Sequence, residues 1–280
     1  MKALANLKVH FIRALAIPML ALSAISCAGL SQAQAEESVN LRFQVAISGI
    51  KALELKYSAQ IGETAYSAAT GVKVKGLASF FTDFDFSANA QGQVINGRMM
   101  PSAFTYETSE DDESKVMNVA YAQDGTITTK RNYELKPGKE EEIAASLAPG
   151  TPDPLTILLT MGSQPSANLC TGKWRSYNGA EIIDYEFSRL GAGNYSGKAD
   201  YQGPAVHCRL ELKPVAGVSE KRLRKWANKP PVYDLWFAPA TASNGKNLHL
   251  LIAAEGDAGK TSFTAWASTA ELSGRKIAAR

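Results

Sequence analysis

Nucleophilic chemistry in a chain of 280 residues needs a base beside a nucleophile, and here the bases are few. Beyond residue 35 the histidines are His207 and His249. His207 adjoins Cys208, but neighbours on a strand point to opposite faces, which separates the imidazole from the thiol it would have to activate. His249 alternates with Leu248 and Leu250, the pattern of a strand's polar face. There is no Gly-x-Ser-x-Gly elbow, and no carboxylate sits in the apolar or aromatic setting of a tuned acid–base pair. The expectation is a non-enzymatic chain. A hydrolase using His207 or His249 with a carboxylate is the alternative.

Two cysteines lie beyond residue 35, Cys170 and Cys208. A structural zinc site takes four ligands, which the two histidines and two cysteines would all have to supply. A Cys170–Cys208 disulfide is the favoured reading, with a metal pair or two free thiols as alternatives; it would close a loop worth roughly 3–4 kcal/mol. No metal or cofactor is expected. Gly256-Asp257-Ala258-Gly259-Lys260-Thr261 lacks the spacing and the following helix of a phosphate loop, and Gly191 to Gly197 lacks a surrounding βαβ unit. Both read as turns. The stretch from Lys221 to Lys229 is the most suggestive. Arg222, Arg224, Lys225 and Trp226 are candidate contacts for an anionic lipid headgroup, lipopolysaccharide or an acidic partner. The plainer reading is a solvated loop held down by Leu223 and Trp226.

The elements that must position these residues are mostly strands. Period-two alternation runs through Val39–Val45, Leu53–Ala59 and Val72–Val74, with Ser48-Gly49 as the first turn. Further strands are expected at Phe84–Ala88, Ala103–Thr108, Lys115–Ala122 and Thr126–Leu135, with a turn near Gly92 and a hairpin at Asp124-Gly125. Glu110–Glu113 and Lys139–Glu142 read as solvated acidic loops, and Gly76–Phe81 as a helix-like or capping segment. One helix is well marked: Asp153 caps it, Pro154 opens it, Leu155–Met161 is apolar, and Gly162 ends it. Beyond Cys170, strands are expected at Ala180–Phe187, Asn194–Tyr201, Ala205–Leu212, Val232–Phe237, Leu248–Ala254 and Ser262–Leu272. The fold class is mainly β: one curved antiparallel sheet, as an open barrel, half-barrel or spiral, with one short helix plugging or covering it.

Residues 1–35 carry the three parts of a secretory signal. Lys2, Lys8 and Arg13 precede an apolar run from Ala14 to Leu30, and Ala33-Gln34-Ala35 forms a small-residue cleavage site. The expectation is a cleaved signal peptide, 1–35, followed by a single periplasmic β-rich domain, 36–280. Lipid attachment at Cys27 is the lesser alternative. The chain holds 30 basic and 27 acidic residues; residues 1–35 hold three of the basic and none of the acidic, so 36–280 is formally neutral. That balance excludes a nucleic-acid binder. No later apolar run reaches the roughly 20 residues of a membrane span.

Several residues, in this order and spacing, resemble a known pattern. They include Gly76-Leu77-Ala78-Ser79-Phe80-Phe81, Pro101-x-x-Phe104, Asp153-Pro154-Leu155, Tyr177-Asn178-Gly179, Tyr201-x-Gly203-x-x-x-x-Cys208 and Pro214-Val215-Ala216-Gly217. The sequence is similar to the proteobacterial periplasmic family of unknown function numbered 3108, from about Leu41 to about Leu272. The resemblance implies an exported β-rich envelope protein with a Cys170–Cys208 disulfide, and carries over no enzymatic activity. The function expected is non-enzymatic binding in the cell envelope, of a lipid or hydrophobic ligand on a concave sheet. An interaction module for an envelope protein is the alternative.

Overall fold

A computed structural model describes residues 36–74, 84–110, 113–258 and 261–277. The expected signal peptide with Cys27, the Gly76–Phe81 segment, the centre of the Glu110–Glu113 loop and Gly259-Lys260 lie outside the described residues.

Alternation dictates strands, and the turns dictate which strands pair. The first seven are β1 (Glu37–Ile47), β2 (Ile50–Ile61), β3 (Ala65–Val74), β4 (Asp85–Ile95), β5 (Arg98–Glu110), β6 (Glu113–Tyr121) and β7 (Ile127–Arg131). They form one meander, each strand antiparallel to the next. Ser48-Gly49 and Asn96-Gly97 both have positive φ, the two-residue hairpin geometry that matches strand twist. Asn96-Gly97, not Gly92, turns β4 into β5. Gly92 lies within β4, where the Tyr66 ring and the Met100 carbonyl occupy the space a Cβ would need.

A second meander holds β8 (Gly172–Tyr177), β9 (Ile182–Tyr195), β10 (Gly203–Ala216), β11 (Val232–Thr241), β12 (Asn247–Ala258) and β13 (Thr261–Leu272), with the short β14 (Arg275–Lys276) folded onto β13. β13 pairs with β1, so both meanders join in one 14-stranded antiparallel sheet whose outermost strands are β7 and β8. Right-handed twist brings those two edges together. They meet through side chains: Thr129 and Arg131 of β7 bond to Tyr177, and Arg131 also reaches the Gly179 carbonyl. The sheet is a curled, barrel-like spiral that backbone bonds do not close. Gly191 to Tyr195, read as a turn, continues β9. Residues 196–202, read partly as strand, are a loop from which the Asp200 N–H donates to the Ala267 carbonyl, below the point where the β12–β13 ladder ends at Ala253 and Trp266.

The interior is filled by a helix. Of the three helices among the described residues, α1 (Lys139–Ser146), α2 (Pro154–Gly162) and α3 (Glu220–Asn228), only α2 was expected. α2 is apolar on every side, and a helix of that kind must be enclosed. It touches β3, β4, β5, β8 and β12, and its Leu155, Ile157, Leu159 and Met161 are each 7% exposed or less. Ala59, Ala68, Ala88 and Ala90 line the facing half of the sheet with methyl groups and leave room for it. The helix therefore plugs the curl and does not cover an edge. The Cys170–Cys208 disulfide ties the chain just beyond α2 to the inner face of β10. α1 begins at the supposed acidic loop, with Lys139 buried against Glu142 and Glu220. α3 replaces the expected basic loop.

Candidate ligand-binding end of the sheet

The inner face is graded from one end to the other. One row across the first meander, Ala59, Ala68, Ala90, Phe104 and Val119, is buried beneath α2. Four residues further along the strands, the row Leu55, Val72, Phe86 and Thr108 is only half-buried. On the second meander, Tyr233 and Phe263 occupy the same end. They flank Gly256, whose missing side chain lets both rings lie over it, 5.6 Å apart. Phe86 and Tyr106 make a comparable edge-to-face pair at 5.2 Å. Among the described residues this end is apolar and aromatic, and its inner row is only half-buried.

A polar rim stands over it, supplied by α3 and the β8–β9 turn. The Arg222 guanidinium bonds the Glu181 carboxylate at 2.5 Å and lies 4.7 Å from the centre of the Trp226 ring, within cation–π range. Its charge partly offsets the burial that raises the hydroxyls of both Tyr106 and Tyr233. The Glu181 side chain is 15% exposed. Burial pushes its carboxyl up, and the Arg222 charge only partly offsets this. Burial likewise raises the phenols of Tyr106, Tyr133 and Tyr233. The Arg222 Nε has no hydrogen-bond partner among the described residues.

The four residues singled out in the basic stretch divide. Arg222 and Trp226, four apart on α3, turn inward together with Leu223 and form the rim. Arg224 and Lys225 are exposed on the outer side with Lys221, and these three make no ion pair with a described residue; Lys229 bonds Asp257 at 2.8 Å. Glu181, Tyr106 and Tyr233 were not anticipated. The Asn178-Gly179 turn signal stands next to Glu181, but its partner Arg222 is 41 residues further on.

The histidines stay apart. His207 stacks flat on Trp236 at 4.5 Å on the outer face, with Nε2 3.8 Å from Asp234. His249 does not lie on a polar face. It is 4% exposed, on the inner side against the end of α2, and burial holds its imidazole below the usual range. The cavity it borders measures about 30 Å³, room for little more than a water molecule. Among the described residues no three His, Cys, Asp or Glu side chains gather as a metal site, and no helix is long and apolar enough to cross a membrane.

Among the described residues, fold and site together define a curled, barrel-like β protein with an interior helix and a half-exposed, polar-rimmed end. The chain belongs to DUF3108, a family of unknown function, whose profile matches residues 42–264. Among solved structures it is similar to a beta-barrel-like protein of the domain of unknown function DUF1849 from Brucella abortus. The two share 9% identity with a TM-score of 0.48, over 85% of this chain and 98% of that one. No curated protein matches the sequence.

Proposed function

We propose that this chain is a non-enzymatic binding module of the cell envelope that holds an amphipathic anion, lipid-like in build, at the α3 end of its sheet. One observation carries the reading: α2 buries the row from Ala59 to Val119, whereas at the α3 end the apolar inner face stays half-exposed beside Arg222. An apolar chain would lie against Leu55, Val72, Phe86 and Phe263. Its anionic head would meet Arg222, with Arg224 and Lys225 adding attraction from outside. The middle of the concave face offers no such space. The secretory pattern of residues 1–35 and the Cys170–Cys208 disulfide support a periplasmic location. The separation of His207 from His249 supports a role without catalysis.

The first test is native mass spectrometry of protein isolated from its own envelope fraction, followed by titration with lysophosphatidylglycerol and lysophosphatidylcholine read by Trp226 fluorescence. A retained lipid-sized adduct, a preference for the anionic lipid and a loss of at least tenfold in Arg222→Met, but not in Arg224→Glu with Lys225→Glu, are expected. A ligand-free mass and no response at Trp226 would overturn the reading. Capture of an envelope protein that Arg224→Glu with Lys225→Glu abolishes would establish the interaction module in its place.

A further inference from the structure

The half-buried inner row does not end at Thr108. Lys115 stands opposite Thr108 on β6 and shares a face with Met117 and Val119, which are buried on the inner side. The row therefore runs Leu55, Val72, Phe86, Thr108, Lys115: three apolar groups, a hydroxyl, then an ammonium. That order matches the build of an amphipathic anion, apolar at one end and charged at the other.

A cavity of about 310 Å³ lies beside Lys115. Tyr133 and Lys136, from the segment joining β7 to α1, line it together with Glu181 and with Ser219, the residue before α3. Lys115 and Lys136 are exposed and make no ion pair with a described residue. Lys139 also lines the cavity, but Glu142 neutralises it at 2.7 Å, as Arg222 neutralises Glu181 at 2.5 Å. Glu134, exposed on the same wall, is the remaining charge, so the unpaired groups leave one positive charge in excess. The Ser219 hydroxyl makes no capping bond to α3, and the Tyr133 hydroxyl donates to the Met117 sulfur at 3.7 Å, a weak acceptor. Two ammonium groups and two weakly engaged hydroxyls around a single excess charge suit the oxygens of a monoanionic phosphodiester. Arg222 by itself is less suited, because Glu181 already accepts from it.

We infer that this cavity takes the phosphodiester of a lipid whose apolar chain lies on Leu55, Val72 and Phe86, with Lys115 and Lys136 as its charged contacts. The inference rests on the binding of an amphipathic anion proposed above, and it names the head group and the residues that meet it. The test compares lauroyl-lysophosphatidylglycerol with monolauroylglycerol, its uncharged counterpart, both titrated into the full chain and read by Trp226 fluorescence. In the Lys115→Met, Lys136→Met double variant, affinity for the charged lipid should fall at least tenfold and affinity for the neutral one should hold, at an unchanged unfolding midpoint. Equal losses for the two lipids would overturn the inference, since the lysines would then act on structure alone. Full affinity in the double variant with a loss in Arg222→Met would also overturn it, and would leave the broader reading standing with the head group at Arg222. Inorganic phosphate that displaces the charged lipid at equal concentration would overturn it by making a free anion the occupant. No response to either lipid would overturn both readings.

Discussion

At single residues the tightest constraints are steric and electrostatic, and they are local to the interior. A Cβ at Gly92 would lie 2.1 Å from the Met100 carbonyl and 2.7 Å from the Tyr66 ring, so backbone has to move to admit it. At Gly193 nothing lies within 4 Å of the same atom. Gly92→Ala should therefore cost about 1–3 kcal/mol in chemical denaturation, and Gly193→Ala within about 0.5 kcal/mol of nothing. Equal effects would show that the Tyr66 ring yields freely. Glu37 illustrates the electrostatic case. Burial pushes its carboxyl up, but donors from Ser243, Ser273 and Asn244 outweigh that and hold it below the usual range. It thereby pins the start of β1 to two distant turns, a role that no local pattern discloses, because its partners lie more than 200 residues away.

At the scale of elements, α2 organises the molecule. Its cap Asp153 accepts from the Thr156 N–H at 2.9 Å and the Thr156 hydroxyl at 2.6 Å, and that hydroxyl lies 2.8 Å from the Tyr66 hydroxyl. Burial raises the Asp153 carboxyl above its ordinary value despite these bonds. A raised acid favours folding below the ordinary carboxylate range, and that contribution is lost as pH rises through its folded value. Asp153→Ala should cost about 1–2 kcal/mol, the usual worth of a cap. Asp153→Asn keeps an acceptor for the Thr156 N–H without a charge to bury. It should match or exceed the native chain near neutrality, and the native chain should gain on it as pH falls toward 4, which thermal melts across pH will report. A native chain more stable than Asp153→Asn at neutral pH would contradict this account. The helix itself was legible from Asp153-Pro154 and its apolar run. α1 and α3 were not, because their charged sequences carry no apolar stripe wide enough to distinguish a helix from a solvated loop.

For the whole molecule, closure depends on side chains. Arg131 is 10% exposed and donates through Nε to the Gly179 carbonyl at 2.8 Å and through Nη2 to the Tyr177 hydroxyl at 3.2 Å. Its bond to exposed Glu140 adds little, because water screens it. Tyr177 is 1% exposed, so losing Arg131 removes two bonds from a buried site and leaves the Gly179 carbonyl only the Tyr177 hydroxyl, and that hydroxyl only Thr129, as further partners. Arg131→Met should destabilise by about 1–3 kcal/mol and speed hydrogen exchange across β7. Glu140→Gln should do neither, and parity between the two variants would show that the seam is held elsewhere.

The sequence by itself determined the strand-dominated class, the hairpins at Ser48-Gly49 and Asp124-Gly125, and helix α2. These rest on contacts between neighbours in the chain, where alternation, turn chemistry and capping act directly. It also marked Arg222 and Trp226, because a basic run beside an indole is visible in one line of text. Only the tertiary structure decided that α2 lies inside the sheet, that β7 meets β8, and that Arg222 pairs with Glu181 and Trp226. Those facts depend on sheet curvature, a sum of small twists over many strands, which brings together residues that no local pattern connects.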